Sequence, residues 1–215
     1  MNSTNSITQA YNLAAADYTG QFWDEIQNKP MDQVMLDWFT RQITSESPIL
    51  EIGGGPGEVS DYLSRNAMTC ISTDRAGLMV KEGKKQFPYL HFEVQDFFHL
   101  PYAENTFKRV VAFYAIVNLQ PDDIKNVFNE VKRVLKEDGL FLFTFHIFEE
   151  GKDKQMVRDR FMDKPGARLT FYFFKVEEII TLVEEAGFKI MDIVIRYPYP
   201  EVEYPSKRAY FFIRR

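Results

Sequence analysis

The five positions 53 to 57 hold four glycines and a proline, Gly53-Gly54-Gly55-Pro56-Gly57. Neither a strand nor a helix is stable with that composition, so the chain must turn there. Before the turn, Ile49-Leu50-Glu51-Ile52 is a short apolar run carrying one carboxylate, the pattern of a buried strand. After it, Glu58-Val59-Ser60-Asp61-Tyr62-Leu63 has helical spacing, with Val59, Tyr62 and Leu63 on one face. Strand, glycine turn and helix together form a unit that receives a ligand at the start of the helix. Glycine allows positive φ and lets a ligand lie against bare backbone.

Three glycine patterns compete for this stretch. The dinucleotide pattern G-x-G-x-x-G, begun at Gly53, needs a glycine where Glu58 stands, and a carboxylate there repels a pyrophosphate. The phosphate-cradling loop needs a Lys-Ser/Thr pair after its last glycine, and none follows Gly57. The pattern acid-x-G-x-G-x-G fits, with Glu51, Gly53, Gly55 and Gly57 in register. In this the chain resembles the class I S-adenosylmethionine-dependent methyltransferases. Gly54 stands where that family more often has a small side chain.

Two further acids follow at similar intervals. The β-prone run Thr69 to Asp74 ends in an acid 23 positions beyond Glu51, and Leu90 to Phe97 carries Asp96 22 positions beyond Asp74. Acids at the carboxyl edge of adjacent parallel strands face the crevice where open α/β sheets bind ligands. Both ribose hydroxyls can donate to one carboxylate, which suits Asp74. The resemblance implies that Asp96 takes the adenine amino group and that Phe97 packs on the ring. It also implies cofactor contacts at Tyr11, Tyr18, Glu51, the glycines 53, 54, 55 and 57, Phe113, Tyr114 and Asn118; Arg75, standing where the family usually has a hydroxyl or proline to open the helix, is expected to reach the cofactor rim. The expected cofactor is S-adenosyl-L-methionine.

The expected fold is α/β: a three-layer, Rossmann-like sheet of seven strands, mostly parallel with one antiparallel strand, helices on both faces and an N-terminal helical lid. After the acid-bearing strands, Arg75 to Phe87 reads as a helix and Phe107 to Ala115 as a fourth strand. Pro121 to Leu135 carries the stripe Ile124, Val127, Phe128, Val131, Leu135, and Asp138-Gly139 is read as its end. Leu140 to Phe145 is then a fifth strand. Lys189 to Arg196 and Lys207 to Arg214 are joined by too short a link for a crossover helix, so they pair antiparallel. A single domain is expected over 1–215: a helical cap at 1–47, a cofactor-binding core at 48–146, a substrate-side insertion at 147–174, and a helix and hairpin at 175–215.

Two segments keep two readings each. Tyr11 and Tyr18 lie seven apart on one helix face, either as core or as part of a lid over the cofactor. Glu149 to Arg168, dense in both charges, is either a solvated helix or surface loop, or a cap over the substrate. For Trp38 and Phe39, core packing is expected.

Composition narrows the partners. The net charge is −5 with scattered Lys and Arg, which argues against a nucleic-acid or acidic-membrane partner. No apolar run approaches the roughly 18 residues of a membrane span, and 1–13 lacks a signal core, so a cytoplasmic location is expected. Cys70 stands alone and reads as a core thiol. Three histidines at scattered positions suggest no metal site. Oligomeric state has no signature here.

Methyl transfer from a sulfonium is a direct displacement, so alignment matters more than a catalytic triad. The stretch Tyr114 to Leu119 lacks the Asn/Asp-Pro-Pro-Tyr motif of base-amine methylating enzymes. The expected activity is transfer to an O, N, S or C atom of a small-molecule acceptor. The alternative is a protein that binds S-adenosylmethionine or S-adenosylhomocysteine without turnover. His146, at the end of the fifth strand, is the candidate general base; equally, it can anchor the following segment.

Overall fold

The computed structural model describes residues 3–43 and 47–215; Met1, Asn2 and residues 44–46 of the expected cap lie outside the described residues. The short strand β1 (Ile49–Ile52) pairs in parallel with β2 (Cys70–Asp74) on one side and β4 (Phe107–Ala112) on the other. Outside β2 lies β3 (His91–Val94), also parallel. Beyond β4 come β5 (Leu135–His146), then β9 (Arg208–Arg214) and β8 (Lys189–Arg196). The seven-stranded order is β3-β2-β1-β4-β5-β9-β8, and β9 alone runs against both of its neighbours. This is the expected architecture.

Alternation along β5 and β9 places a core on each face. Phe141, Phe143, Phe145, Phe211 and Ile213 pack under α5 (Pro121–Val134) and α6 (Val176–Glu185). Leu140, Leu142, Tyr210 and Phe212 face α2 (Pro30–Arg41) and α3 (Glu58–Arg65). The α5 stripe Ile124, Val127, Phe128 and Val131 is fully buried. Each such side chain contributes about 1.5–3 kcal/mol over remaining exposed. Trp38 meets Phe212 edge-on at 4.3 Å and Phe39 is fully buried, as core residues. At the β3 edge, α4 (Gly77–Gln86) packs against α1 (Ser3–Phe22).

Four boundaries differ from expectation. The helix α4 starts at Gly77 because Asp74 Oδ1 accepts the Ala76 N–H at 2.7 Å, and Leu78 N–H is capped from α1 by Asn12 at 2.8 Å. The strand β4 stops at Ala112, since Tyr114 turns into the left-handed region with φ 53°. Asp138-Gly139 does not end α5. The helix stops at Val134, and Asp138, with φ 58°, forms an irregularity inside β5. The charged segment 149–168 is neither one solvated helix nor plain loop, although it holds a short 3-10 turn at Phe161–Asp163. It includes β6 (Gln155–Arg158), which pairs with β7 (Leu169–Tyr172) in a separate antiparallel hairpin. Among the described residues, no helix is long and apolar enough to cross a membrane.

Candidate active site

The glycine turn sits at the carboxyl ends of β1, β2 and β4, and three of its glycines have positive φ: Gly53 at 62°, Gly55 at 54° and Gly57 at 91°. Gly57 also lies under Phe92 of β3, whose ring would stand 2.5 Å from an added Cβ. At Gly54 a Cβ would fall 2.5 Å from Ser72 Oγ and 2.6 Å from the Glu51 carboxyl carbon. A side chain at this position would have to displace the Ser72 hydroxyl and the Glu51 carboxyl.

A first cavity opens over this turn. It is lined by Gly53, Gly54, Gly55, Asp74, Arg75 and Phe97 from the sheet edge, by Phe113, Tyr114 and Asn118 beyond β4, and by Tyr11 and Tyr18 of α1. Eleven of the fourteen expected cofactor residues thus face one space. Glu51, Gly57 and Asp96 do not line it. Glu51 is 2% exposed and takes hydroxyl donors from Ser60 and Ser72 behind the turn. Burial pushes its carboxyl up to about 7, although those two hydroxyls pull it down. Gly57 caps α3. Asp96 lines a separate hollow with Arg75, Phe98 and His99, where its carboxylate pairs with Arg75 Nε at 3.3 Å and accepts the Phe98 N–H at 3.0 Å.

Asp74 braces the turn itself. Its Oδ2 accepts the Gly55 N–H at 2.9 Å. Burial raises the Asp74 carboxyl, against the opposing pull of the Ala76 and Gly55 N–H groups. Tyr11 donates to Asn118 Oδ1 at 2.7 Å, and Asn118 Nδ2 donates to the Thr170 carbonyl at 2.8 Å, tying α1 to the hairpin. The rings of Tyr11 and Tyr18 meet edge-on at 6.1 Å, and both pack against Phe161.

A second, larger cavity of about 920 Å³ adjoins the first. Its walls come from α1, the hairpin and the β8–β9 loop, and include Phe22, Phe161, Phe171, Phe173 and Tyr204. The segment expected as a solvated helix or surface loop, or as a cap, contributes residues between Met156 and Lys164 to one wall of this space. Among the described residues, only Tyr11, Tyr18, Glu25 and Tyr114 line both cavities.

His146 faces the second cavity and not the first. It pairs across the strands with Arg208, stacks on Tyr114 at 5.5 Å, and its Nδ1 lies 2.8 Å from Ser206 Oγ. Burial, and then the charges of Arg208 and Lys29, lower its pKa to about 3. The imidazole is therefore neutral across the physiological range. That departs from the mid-range titration expected of a general base.

Sequence reasoning passed over several cavity residues. Glu25 and Glu58 line the first cavity, and Lys29 and Arg208 the second. Lys29 Nζ holds Glu25 at 2.7 Å and lies over the Tyr114 ring at 5.3 Å. Only Glu58 had a local signal, as the carboxylate that spoils a pyrophosphate site. Among the described residues, no group of three or more His, Cys, Asp or Glu side chains is placed to hold a metal.

The donor set suits a nucleoside sulfonium: an aromatic face at Phe97, a brace of backbone amides and a carboxylate at the turn, and a buried Glu58 Oε2 with no hydrogen-bond partner.

Residues 49–139 match the family model described as a methyltransferase domain. The chain is 26% identical over 208 residues to malonyl-[acyl-carrier protein] O-methyltransferase of Geobacter sulfurreducens, covering 92% of this chain and 74% of that one. Several other curated relatives are spanned over only about half their length. Among solved structures, Burkholderia thailandensis 1,6-didemethyltoxoflavin-N1-methyltransferase, with bound 1,6-didemethyltoxoflavin and S-adenosylhomocysteine, aligns with a TM-score of 0.73 at 15% identity, covering 99% of this chain and 88% of that one. Magnesium protoporphyrin IX methyltransferase of Synechocystis, with bound S-adenosylmethionine, aligns at 0.72 and 12% identity over 100% and 98%. At these identities the two structures speak for the fold. The glycine motif, the strand order and the relatives agree in supporting a class I S-adenosylmethionine-dependent methyltransferase, with the methyltransferase-domain match spanning residues 49–139.

Proposed function

We propose that the chain methylates an O, N, S or C atom of a small-molecule acceptor held in the second cavity. The observation that carries this reading is the meeting of the two cavities at Tyr11, Tyr18, Glu25 and Tyr114. A donor seated over the glycine turn and an acceptor held among the aromatic walls would face each other there. S-adenosylmethionine, when bound, supplies an electrophilic methyl group on a sulfonium. The chain's own contribution is then alignment and exclusion of water, worth several kcal/mol when the reacting atoms are held in line. Cap 1–47, core 48–146, insertion 147–174 and C-terminal part 175–215 are proposed to act as one unit around this junction.

The acceptor cavity favours a molecule with an apolar or aromatic body, which its phenylalanine and tyrosine walls would bury. The named relatives include an O-methyltransferase and an N1-methyltransferase, which is compatible with either acceptor atom. The deciding experiment offers a panel of acceptors with labelled S-adenosylmethionine and measures S-adenosylhomocysteine release. Turnover with any acceptor establishes the enzyme reading. Tight donor binding with no turnover across the panel would favour a binding protein.

Two expectations follow for single elements. In this reading His146 orients the acceptor as a neutral hydrogen-bonding group. His146→Gln is then expected to lower turnover by less than roughly tenfold, since loss of a general base costs about 10²–10⁴-fold. A hundredfold loss, together with removal of an inflection near pH 6–7, would make it the base. Tyr11 and Tyr18 are proposed to close over the donor. The amides of 10–18 should then gain protection from hydrogen exchange when S-adenosylmethionine is added. Equal exchange with and without it would leave the tyrosines as core residues only.

A further inference from the structure

The first cavity carries an excess of acid that the glycine motif does not explain. Three carboxylates line it, Glu25, Glu58 and Asp74, against one guanidinium, Arg75, which is already paired with Asp96. Glu25 comes from the short 3-10 turn Glu25–Asn28 after α1, and Glu58 opens α3. They meet across the cavity from parts of the chain 33 residues apart. Asp74 spends both oxygens on backbone amides, and Glu25 holds Lys29. Glu58 differs: its Oε2 is sealed from solvent and has no hydrogen-bond partner. A buried acceptor left unpaired costs roughly 1–3 kcal/mol, and more when it is charged. The acid of the motif, Glu51, cannot stand in for it, because it is buried behind Gly54 and taken up by Ser60 and Ser72.

We propose that Glu25 and Glu58 together form the subsite for a primary ammonium group, that of the methyl donor's amino-acid end, in place of Glu51. The assignment rests on the donor-site reading of the first cavity. An ammonium has three donors, enough to bridge the unpaired Glu58 Oε2 and the Glu25 carboxylate. It also brings the positive charge that the lining lacks.

Other charges bear on the pair from each neighbouring element. Lys29 and Asp32 lie on the α2 side, Glu51 in β1, Asp74 at the end of β2 and Glu203 in the β8–β9 loop, while Tyr18 faces both acids from α1. Burial, then Glu25 and Glu51, push the Glu58 carboxyl well up, and Lys29 offsets only part of this. Burial raises Glu25 as well, although Lys29 opposes it. Both carboxyls are therefore harder to ionise in the free protein than an exposed glutamate. An arriving ammonium stabilises the ionised form. Affinity for an ammonium-bearing ligand rises with pH over the range in which the pair ionises, and then levels off.

Calorimetry with two ligands tests this. S-adenosylhomocysteine has the ammonium; 5′-methylthioadenosine shares the nucleoside and sulfur but lacks the amino-acid end. Glu58→Gln should weaken S-adenosylhomocysteine by roughly ten- to a hundredfold, the loss of a charge-assisted bond, and leave 5′-methylthioadenosine within about twofold. Glu25→Gln, a second isosteric change, should act in the same direction. For the unaltered protein, affinity for S-adenosylhomocysteine should rise with pH relative to that for 5′-methylthioadenosine, and Glu58→Gln should flatten that rise. Equal losses for both ligands, or unchanged S-adenosylhomocysteine affinity, would overturn the subsite. If the unaltered protein binds neither ligand, the donor-site reading falls first, a result distinct from these.

Discussion

Asp74→Ala is expected to weaken S-adenosylmethionine binding by roughly ten- to a hundredfold, the loss of one or two charge-assisted hydrogen bonds. Asp74 ends β2 at the sheet edge where the cavity opens, and its two oxygens brace the Gly55 and Ala76 amides at 2.9 and 2.7 Å. We assign the remaining acceptor capacity of the carboxylate to the ribose hydroxyls. Removing the side chain takes away that acceptor and frees the turn on which the nucleoside would rest. Asp74→Asn keeps the shape and one carbonyl acceptor, so it should recover part of the loss. Calorimetry compares the three proteins. Unchanged affinity in Asp74→Ala would detach Asp74 from the ribose, whatever else the cavity binds.

Much of the sheet was legible because its signals are local. Acid, glycines and helical spacing lie within a dozen residues around Gly53, and α5 announces itself by the stripe from Ile124 to Val131. The reversed strand followed from the short link between β8 and β9. The hairpin of β6 and β7 was not legible. Three of the four residues of β6 are exposed and its partner begins at Leu169, so neither alternation nor a tight turn marks the pairing. The end of α5 was misread for a related reason. Asp138-Gly139 is turn chemistry, but here the turn is an irregularity within β5 where it passes β4.

In the site, residues on the motif strands could be read, whereas those that meet them from elsewhere could not. Glu25 and Lys29 are ordinary surface types in a polar stretch, and nothing local says that the turn folds them over the sheet. The need for glycine at 57 depends on Phe92, which reaches it from another strand. Glu51 shows the converse. Its place in the motif was plain, but its distance from the cavity depends on Ser60 and Ser72 and on their joint claim on one oxygen.

Arg196→Ala is expected to cost about 3–5 kcal/mol of stability, the usual result of removing one partner from a buried ion cluster. The guanidinium takes Asp32 at 2.8 Å, both oxygens of Glu203 at 2.6 and 2.7 Å, and the Tyr210 hydroxyl at 2.6 Å. Asp32 is fully buried, and the Glu203 side chain is 1% exposed. Alanine would leave two carboxylates facing each other, with Lys29 and Arg208 at 3.5 and 3.4 Å from Glu203 as the remaining cations. The cluster joins the start of α2 to the β8–β9 loop, so the same change should loosen the wall that Glu203 and Tyr204 give to the acceptor cavity. Its pH dependence has a definite sign. Burial alone would raise the Glu203 carboxyl, but Arg196, the Tyr199 N–H, Arg208 and Lys29 bring it down to about 2. A carboxyl depressed on folding adds stability above its unfolded pKa of roughly 4.5, and that stability is lost as the pH falls through about 2. The unaltered protein should therefore lose this contribution between about pH 4.5 and 2. Arg196→Ala, with Glu203 less depressed, should lose less across the same window, so the two denaturation curves converge as the pH falls. A constant gap down to pH 2 would mean that Arg196 stabilises by packing and not by charge.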